Sequence, residues 1–166
     1  MISVQAVQES QWEIWRSIRL RALSEAPRAF RSTLTQWSGP NDQEFRWRER
    51  LRNTAIALVA FDDDISIAMV ACDTVTKSAS MISAMWVDPQ YRGKGVGDLL
   101  LDKITQWAKM SPDIEQLMLY VKLDNHHAKA LYERSGFLES SDIYVDEHHR
   151  DTCEVAMVKH VGRYTL

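Results

Sequence analysis

Only two cysteines, Cys72 and Cys153, occur in the 166 residues, far apart and without metal-ligand spacing. Each stands in or beside an apolar run and reads as a buried, reduced thiol, which excludes a disulfide framework and a cysteine-bound metal centre. No apolar run approaches the ~18 residues of a membrane-spanning helix, and no basic-then-apolar leader opens the chain. Neither sign of charge is in large excess: the net value is −3, too small for a global attraction to nucleic acid or an anionic membrane. Prolines number four and glycines six, and no Ser/Gly/Pro linker, low-complexity tract or repeat breaks the sequence. With 45% hydrophobic and 26% charged residues, the chain is expected to form one cored domain over residues 1–166. It is expected to be cytoplasmic, with no metal and with neither nucleic acid nor membrane as a partner.

What is present is an ordered series of periodic segments. "MISVQAV" alternates apolar and polar residues and reads as a strand. Ser10 is placed to cap a helix in which Trp12, Trp15, Ile18 and Ala22 recur at helical spacing, with Arg19 interrupting the stripe. Pro27 ends that helix. A polar helix is expected over residues 41–52, its arginines at 46, 48, 50 and 52 partly balanced by Glu44 and Glu49. "AIALVAF" and "ISIAMVACDTV" read as a hairpin around Asp62, Asp63 and Asp64, and "MISAMWV" as a further strand stopped by Asp88 and Pro89. The next helix presents Val96, Leu99, Leu100, Lys103, Ile104 and Trp107 on one face, with Pro112 closing the region. "QLMLYVKL" is a strand, Asn125 caps a helix carrying Ala128, Leu131 and Tyr132, and Gly136 stops it. Two last strands, over 137–145 and 152–160, flank the polar "DEHHRD". This order implies an α/β fold on a sheet of mixed direction.

Three of the six glycines fall in the stretch "YRGKGVG", between a strand and a helix and beside Arg92 and Lys94. Glycines allow a ligand to approach the backbone, and the helix that follows offers free N–H groups and the positive end of its dipole to a phosphate. The Walker pattern fails because Gly95, not Ser or Thr, follows Lys94. The dinucleotide pattern fails because Asp98 or Leu100 stands where its last glycine belongs. Arg92-x-x-Gly95-x-Gly97 remains. Taken alone it also fits a tight turn with solvated cations.

"VDPQYRGKGVGDLLL" resembles the acetyl-CoA loop of the GNAT superfamily of N-acetyltransferases, and "NHHAKALYERSGF" resembles the Asn-x-x-Ala-x-x-Leu-Tyr-x-x-x-Gly-Phe segment of the same family. The two blocks stand in the family's order, and the element order matches over nearly the whole chain. The resemblance implies a mixed, mostly antiparallel sheet of about seven strands, with helices on both faces and the fourth and fifth strands splayed apart. It implies acetyl-CoA as cosubstrate, its pantetheine arm in that gap against the backbone of Trp86 and Val87. The pyrophosphate would rest on the amides of Arg92, Gly93, Lys94, Gly95, Val96 and Gly97. Asn125 would contact the arm, and Tyr132 would lie near the thioester sulfur.

Acetyl transfer to an amine needs a neutral amine, a polarised carbonyl and a stabilised departing thiolate. Within the matched block Tyr132 suits the last task, because a phenol of pKa about 10 stays protonated at neutral pH; outside it, a tyrosine on an apolar helical face is ordinary packing. A backbone N–H near Val87 is the natural oxyanion donor. No base is assigned: "MISAMWV" has no acid where many members carry a glutamate, and Glu25, Asp73, His126, His127, His148 and His149 are each more simply solvated or capping groups. "SEAPRAF" resembles a segment many members place beside the acceptor, and "DEHHRD" is the other candidate for contact with it. Trp37 and Trp86 are the tryptophans best placed to approach it. The expected activity is transfer from acetyl-CoA to a primary amine of a small molecule or peptide, with a homodimer left open. The alternative is an inactive acyl-CoA-binding or regulatory module of the same fold.

Overall fold

The computed structural model describes residues 1–145 and 153–162, with 141–145 as backbone only. The "DEHHRD" stretch, with His148 and His149, lies outside the described residues. Strand β1 (Ile2–Ala6) pairs antiparallel with β2 (Ile56–Asp62), and β2 with β3 (Ile65–Thr74), in a register that sets Ala57 opposite Ala71. The expected hairpin at the three aspartates is present; Asp63 makes the reversal at φ 51°, a conformation that aspartate tolerates better than most residues. In β3, residues 67–72 are all buried, which is why its sequence is an unbroken apolar run rather than an alternation. Strand β4 (Ala79–Val87) follows, then β5 (Gln116–Lys122), β6 (Leu138–Val145) and β7 (Cys153–His160), giving one seven-stranded mixed sheet of order β1-β2-β3-β4-β5-β7-β6.

The helices are α1 (Trp12–Glu25), α2 (Leu34–Trp37), α3 (Glu44–Arg52), α4 (Val96–Met110) and α5 (His126–Arg134). Several expected boundaries are corrected. Ser10 is not a cap: it lies inside a 3-10 turn over Glu9–Gln11, held by reciprocal bonds between Gln8 and Gln11, and α1 starts after it. The polar helix begins at Glu44, because Gly39–Asn41 form a separate 3-10 turn with Gly39 at φ 58°. The short α2, absent from the sequence reading, is fixed by a capping box between Thr33 and Gln36. No helix among the described residues is long and apolar enough to cross a membrane.

The described residues form two compact units. The first comprises Met1–Asp73 and Ser83–Leu100. Its core joins Trp15, Ile18 and Ala22 of α1 and Trp47 of α3 to the face of β2 and β3 that carries Val59, Met69 and Ala71, and to Ala84 and Trp86 of β4. The helical residues recur at three and four, the strand residues at two, so the stripes meet by periodicity alone. Each large side chain so buried contributes about 1.5–3 kcal/mol.

The second unit comprises Thr74–Ile82 and Leu101–Leu166. There Leu117, Leu119 and Val121 of β5 are buried, as are Leu101, Ile104 and Ala108 of α4, Phe137, and Val155 and Met157 of β7. The inward face of α4 is therefore rotated from the expected one: Leu101, Thr105 and Ala108 are buried, while Lys103 is exposed and Leu99 and Trp107 are only half covered. The parallel ladder of β4 with β5 covers Ala79–Gln116, Ser80–Leu117 and Met81–Met118, and no further pair is formed among the described residues. Three residues on, Ala84 takes φ 53°. A non-glycine residue there costs about 1–2 kcal/mol.

Candidate active site

In the first unit, β4 ends at Val87, and the Asp88 carboxylate accepts from the Gln90 amide at 2.9 Å to start a 3-10 turn over Pro89–Tyr91. The chain then turns through "RGKG" into α4. Gly93 and Gly95 adopt φ 73° and 79°, and a Cβ at either would meet no atom within 4 Å. The glycines are thus required by backbone conformation, and the space above them is open. The Leu99 amide donates to the Gly95 carbonyl at 3.0 Å as α4 begins, leaving Val96 and Gly97 without intrahelical acceptors. Among the described residues, no amide from 93 to 97 reaches a backbone carbonyl. A row of free N–H groups at a helix start, with Lys94 exposed beside it, has the donors and charge to accept a phosphate. Such a row suits the diphosphate of a CoA compound.

The sequence reading missed what holds this loop. The Glu25 carboxylate, at the end of α1, accepts from the Trp86 indole at 2.8 Å and from the Arg92 guanidinium at 2.7 Å. Arg92 also donates through Nε to the Val87 carbonyl at 3.0 Å. Arg21, on the same helix, binds Asp88 at 2.6 Å and lies over the Trp86 ring at 5.5 Å. So α1 holds the end of β4 and the first residue of the loop in one network. These pairs span sequence separations of more than sixty residues, and no local periodicity signals them. Burial raises the Glu25 pKa, but the bonds from Arg92 and Trp86 outweigh it and hold the carboxyl below its ordinary value. Glu25 is therefore held as the charged acceptor shared by Trp86 and Arg92. Glu25→Gln keeps an acceptor for Trp86 and removes the ion pair; its KM for acetyl-CoA is expected to rise about two- to fivefold, the scale of a half-exposed pair, with kcat little changed. A lower KM would instead mean that Glu25 competes with the cofactor for Arg92.

The other base candidates are placed as follows. Asp73 binds Arg50 at 2.9 Å and accepts from the Ser83 hydroxyl at 3.1 Å. His126 and His127 lie exposed in the first turn of α5. Trp37 is packed on Trp47, ring centroids 4.5 Å apart, with the Arg46 guanidinium on it. Trp86 is buried.

In the second unit, Asn125 caps α5 as its sequence position indicates: Oδ1 accepts from the Ala128 amide at 3.2 Å, which leaves the Nδ2 donors for other use. Two helical turns further, Tyr132 is buried edge-on against Phe137, ring centroids 6.0 Å apart. Burial pushes its phenol pKa well above the ordinary value. Its hydroxyl makes no hydrogen bond among the described residues. Gly136, at φ 91°, ends the helix where the motif places it. No group of three or more His, Cys, Asp or Glu that could hold a metal ion occurs among the described residues.

A glycine loop with free amides at a helix start, in a mixed seven-stranded sheet, matches the architecture expected of a CoA-dependent acyltransferase. The model of the Acetyltransferase (GNAT) family matches residues 6–137, and the chain belongs to that family. It is 26% identical over 131 residues to the mycothiol acetyltransferase of Beutenbergia cavernae, covering 78% of this chain and 42% of that one. The solved ribosomal-protein-S18-alanine N-acetyltransferase of Escherichia coli superposes with a TM-score of 0.73 at 20% identity, over 100% of this chain and 99% of that one. A Salmonella typhimurium protein solved with its cofactor acetyl-CoA superposes with a TM-score of 0.79 at 13% identity, over 100% and 97% of the two chains. At these identities the two structures show the shared fold. The chain is an acetyl-CoA-dependent N-acetyltransferase.

Proposed function

We propose that this protein acetylates a primary amine of a small molecule or peptide by direct attack in a ternary complex, and that Tyr132 is the acid. The observation that carries the reading is the row of unpartnered amides from 93 to 97 with Gly93 and Gly95 in left-handed conformation. In this reading those amides hold the pyrophosphate and Lys94 adds charge; the Arg92 amide, expected among them, instead donates to the Pro89 carbonyl at 3.4 Å. The backbone of Trp86 and Val87 and the Nδ2 group of Asn125 hold the pantetheine arm. Acetyl-CoA supplies the acyl carbon and the departing thiolate. The Val87 N–H serves as oxyanion donor, and the Tyr132 hydroxyl delivers its proton to sulfur. Cys72, wholly buried in β3, offers no thiol to carry an acyl group. The relatives named for mycothiol and for a ribosomal-protein alanine point to acceptors of different kinds.

The test has two arms. Acetyl-CoA is expected to raise Tm while ATP and NAD do not; equal protection by ATP would remove the loop assignment. Thiol release is then followed over a panel of amines. Protection by acetyl-CoA with no release for any amine would identify a binding module instead.

A further inference from the structure

One side chain in the first unit is out of keeping with its surroundings. The stripe of α1 that faces the core runs through Trp15, Ile18 and Ala22, and Arg19, four residues after Trp15, falls on it. Its Nη1 is shut away from solvent and has no hydrogen-bond partner. The guanidinium lies over the Phe30 ring, 4.5 Å from the centroid, under the segment that follows α1. No carboxylate among the described residues pairs with it. The charge that acts on it is a like one, Arg50, whose own counter-ion Asp73 is already engaged. Burial pulls the Arg19 pKa down to about 10, with Arg50 adding to the effect, so the group is still cationic at neutral pH.

A half-buried guanidinium with one donor shut away and unused is unfavourable in the free protein. It becomes favourable if a planar anion fills the place, since an arginine fork matches a carboxylate with two parallel bonds. Two links lead from Arg19 toward β4 and the glycine loop. Arg50 reaches the Ser83 hydroxyl of β4 at 3.2 Å, and the same helix that carries Arg19 fixes Trp86 and Arg92 through Glu25.

We propose that the amine acetylated by this protein carries a carboxylate, and that Arg19, covered by Phe30, receives it. This rests on the acetyltransfer reading above. The ligand chemistry is a carboxylate a few bonds from the reacting amine, as in a free amino acid or in a peptide with an acidic residue near its N-terminus.

The test compares matched acceptors at saturating acetyl-CoA in the intact protein: an amino acid, its carboxamide, and short peptides with Asp or Asn next to the N-terminus. The carboxylate member of one pair is expected to have a kcat/KM at least tenfold above its amide. Arg19→Gln should erase that ratio while leaving the amide's value and the KM for acetyl-CoA within about twofold, the scatter of a neutral change. Whichever pair responds identifies the source of the carboxylate. Calorimetry with the N-acetylated acidic product gives a readout free of turnover: binding to the wild type and at least tenfold weaker binding to Arg19→Gln are expected. Arg19→Lys, which keeps the charge and loses the fork, should fall between. Equal kcat/KM for carboxylate and amide acceptors in the wild type, or an equal loss for both in Arg19→Gln, overturns the proposal and leaves acetyltransfer intact. No transfer to any amine together with product binding that depends on Arg19 would instead overturn acetyltransfer and retain the anion site, and absence of both defeats the two together.

Discussion

Gly95→Val is expected to abolish protection by acetyl-CoA and to raise its KM by about 100-fold or more, while the protein stays folded. Two costs combine. At φ 79° a β-branched residue is strained by at least the 1–2 kcal/mol that left-handed backbone costs ordinary residues, so the loop would abandon its conformation. The loop amides would then no longer converge, and each charge-assisted hydrogen bond lost is worth about 1.5–3 kcal/mol. Two such bonds account for the hundredfold change. The new Cβ itself touches no protein atom, so any steric loss is a loss of ligand space. Gly95→Asn separates the two effects, since asparagine adopts the left-handed region at small cost. If strain alone mattered, Asn would restore binding; if the ligand needs the space above the backbone, Asn remains defective. Titration calorimetry with acetyl-CoA, with circular dichroism as the control for folding, reads the outcome. An unchanged KM in Gly95→Val would mean that the pyrophosphate rests elsewhere.

The element order was legible because strand and helix periods differ and the apolar runs here are long enough to show them. Asp88-Pro89, Asn125 and Gly136 also did what their side chains or lack of one dictate: a stop, a cap and a left-handed turn. Where the reading slipped, apolar size had been weighed above position. In α4 the large Trp107 suggested the inward stripe, but Thr105 and Ala108 lie inside and Trp107 only half so. Ser10 has the chemistry of a cap and lost the place to Gln11, whose longer side chain accepts from the Gln8 backbone amide while its own backbone amide donates to the Gln8 carbonyl. The 3-10 turns and α2 are too short for a periodic signal.

At the site, the glycine loop was legible because its backbone needs are written in residue types. The network around it was not. Nothing local tells Glu25 to meet Arg92, or leaves Arg19 without a carboxylate while Arg16, Arg21 and Arg50 each find one. In the pattern of α1, Arg19 is merely an interruption; only the packed structure shows a half-buried cation with one donor shut from solvent. Ala84 at φ 53° is a similar case, since alanine gives no warning of left-handed backbone.

Tyr132→Phe is expected to lower kcat by about 10²-fold, the low end of what a positioned proton donor contributes. The variant keeps the ring, so the edge contact with Phe137 survives and Tm should hold. The KM for acetyl-CoA should stay within about threefold, because an interaction made only as sulfur departs leaves ground-state binding alone. The pH profile distinguishes a proton donor from a packing residue. Burial disfavours the phenolate, so the folded-state pKa lies above the ordinary tyrosine value and the proton remains in place throughout the neutral and mildly alkaline range. In the wild type, kcat/KM for the acceptor should therefore rise with pH as the amine loses its proton and show no fall up to about pH 10, the ordinary phenol pKa. An acid with an unshifted pKa would impose a decline beginning before that point. In Tyr132→Phe the rising limb should persist at a reduced level, because it belongs to the amine. Unchanged kcat in that variant would reduce Tyr132 to packing and return the protonation of the thiolate to solvent.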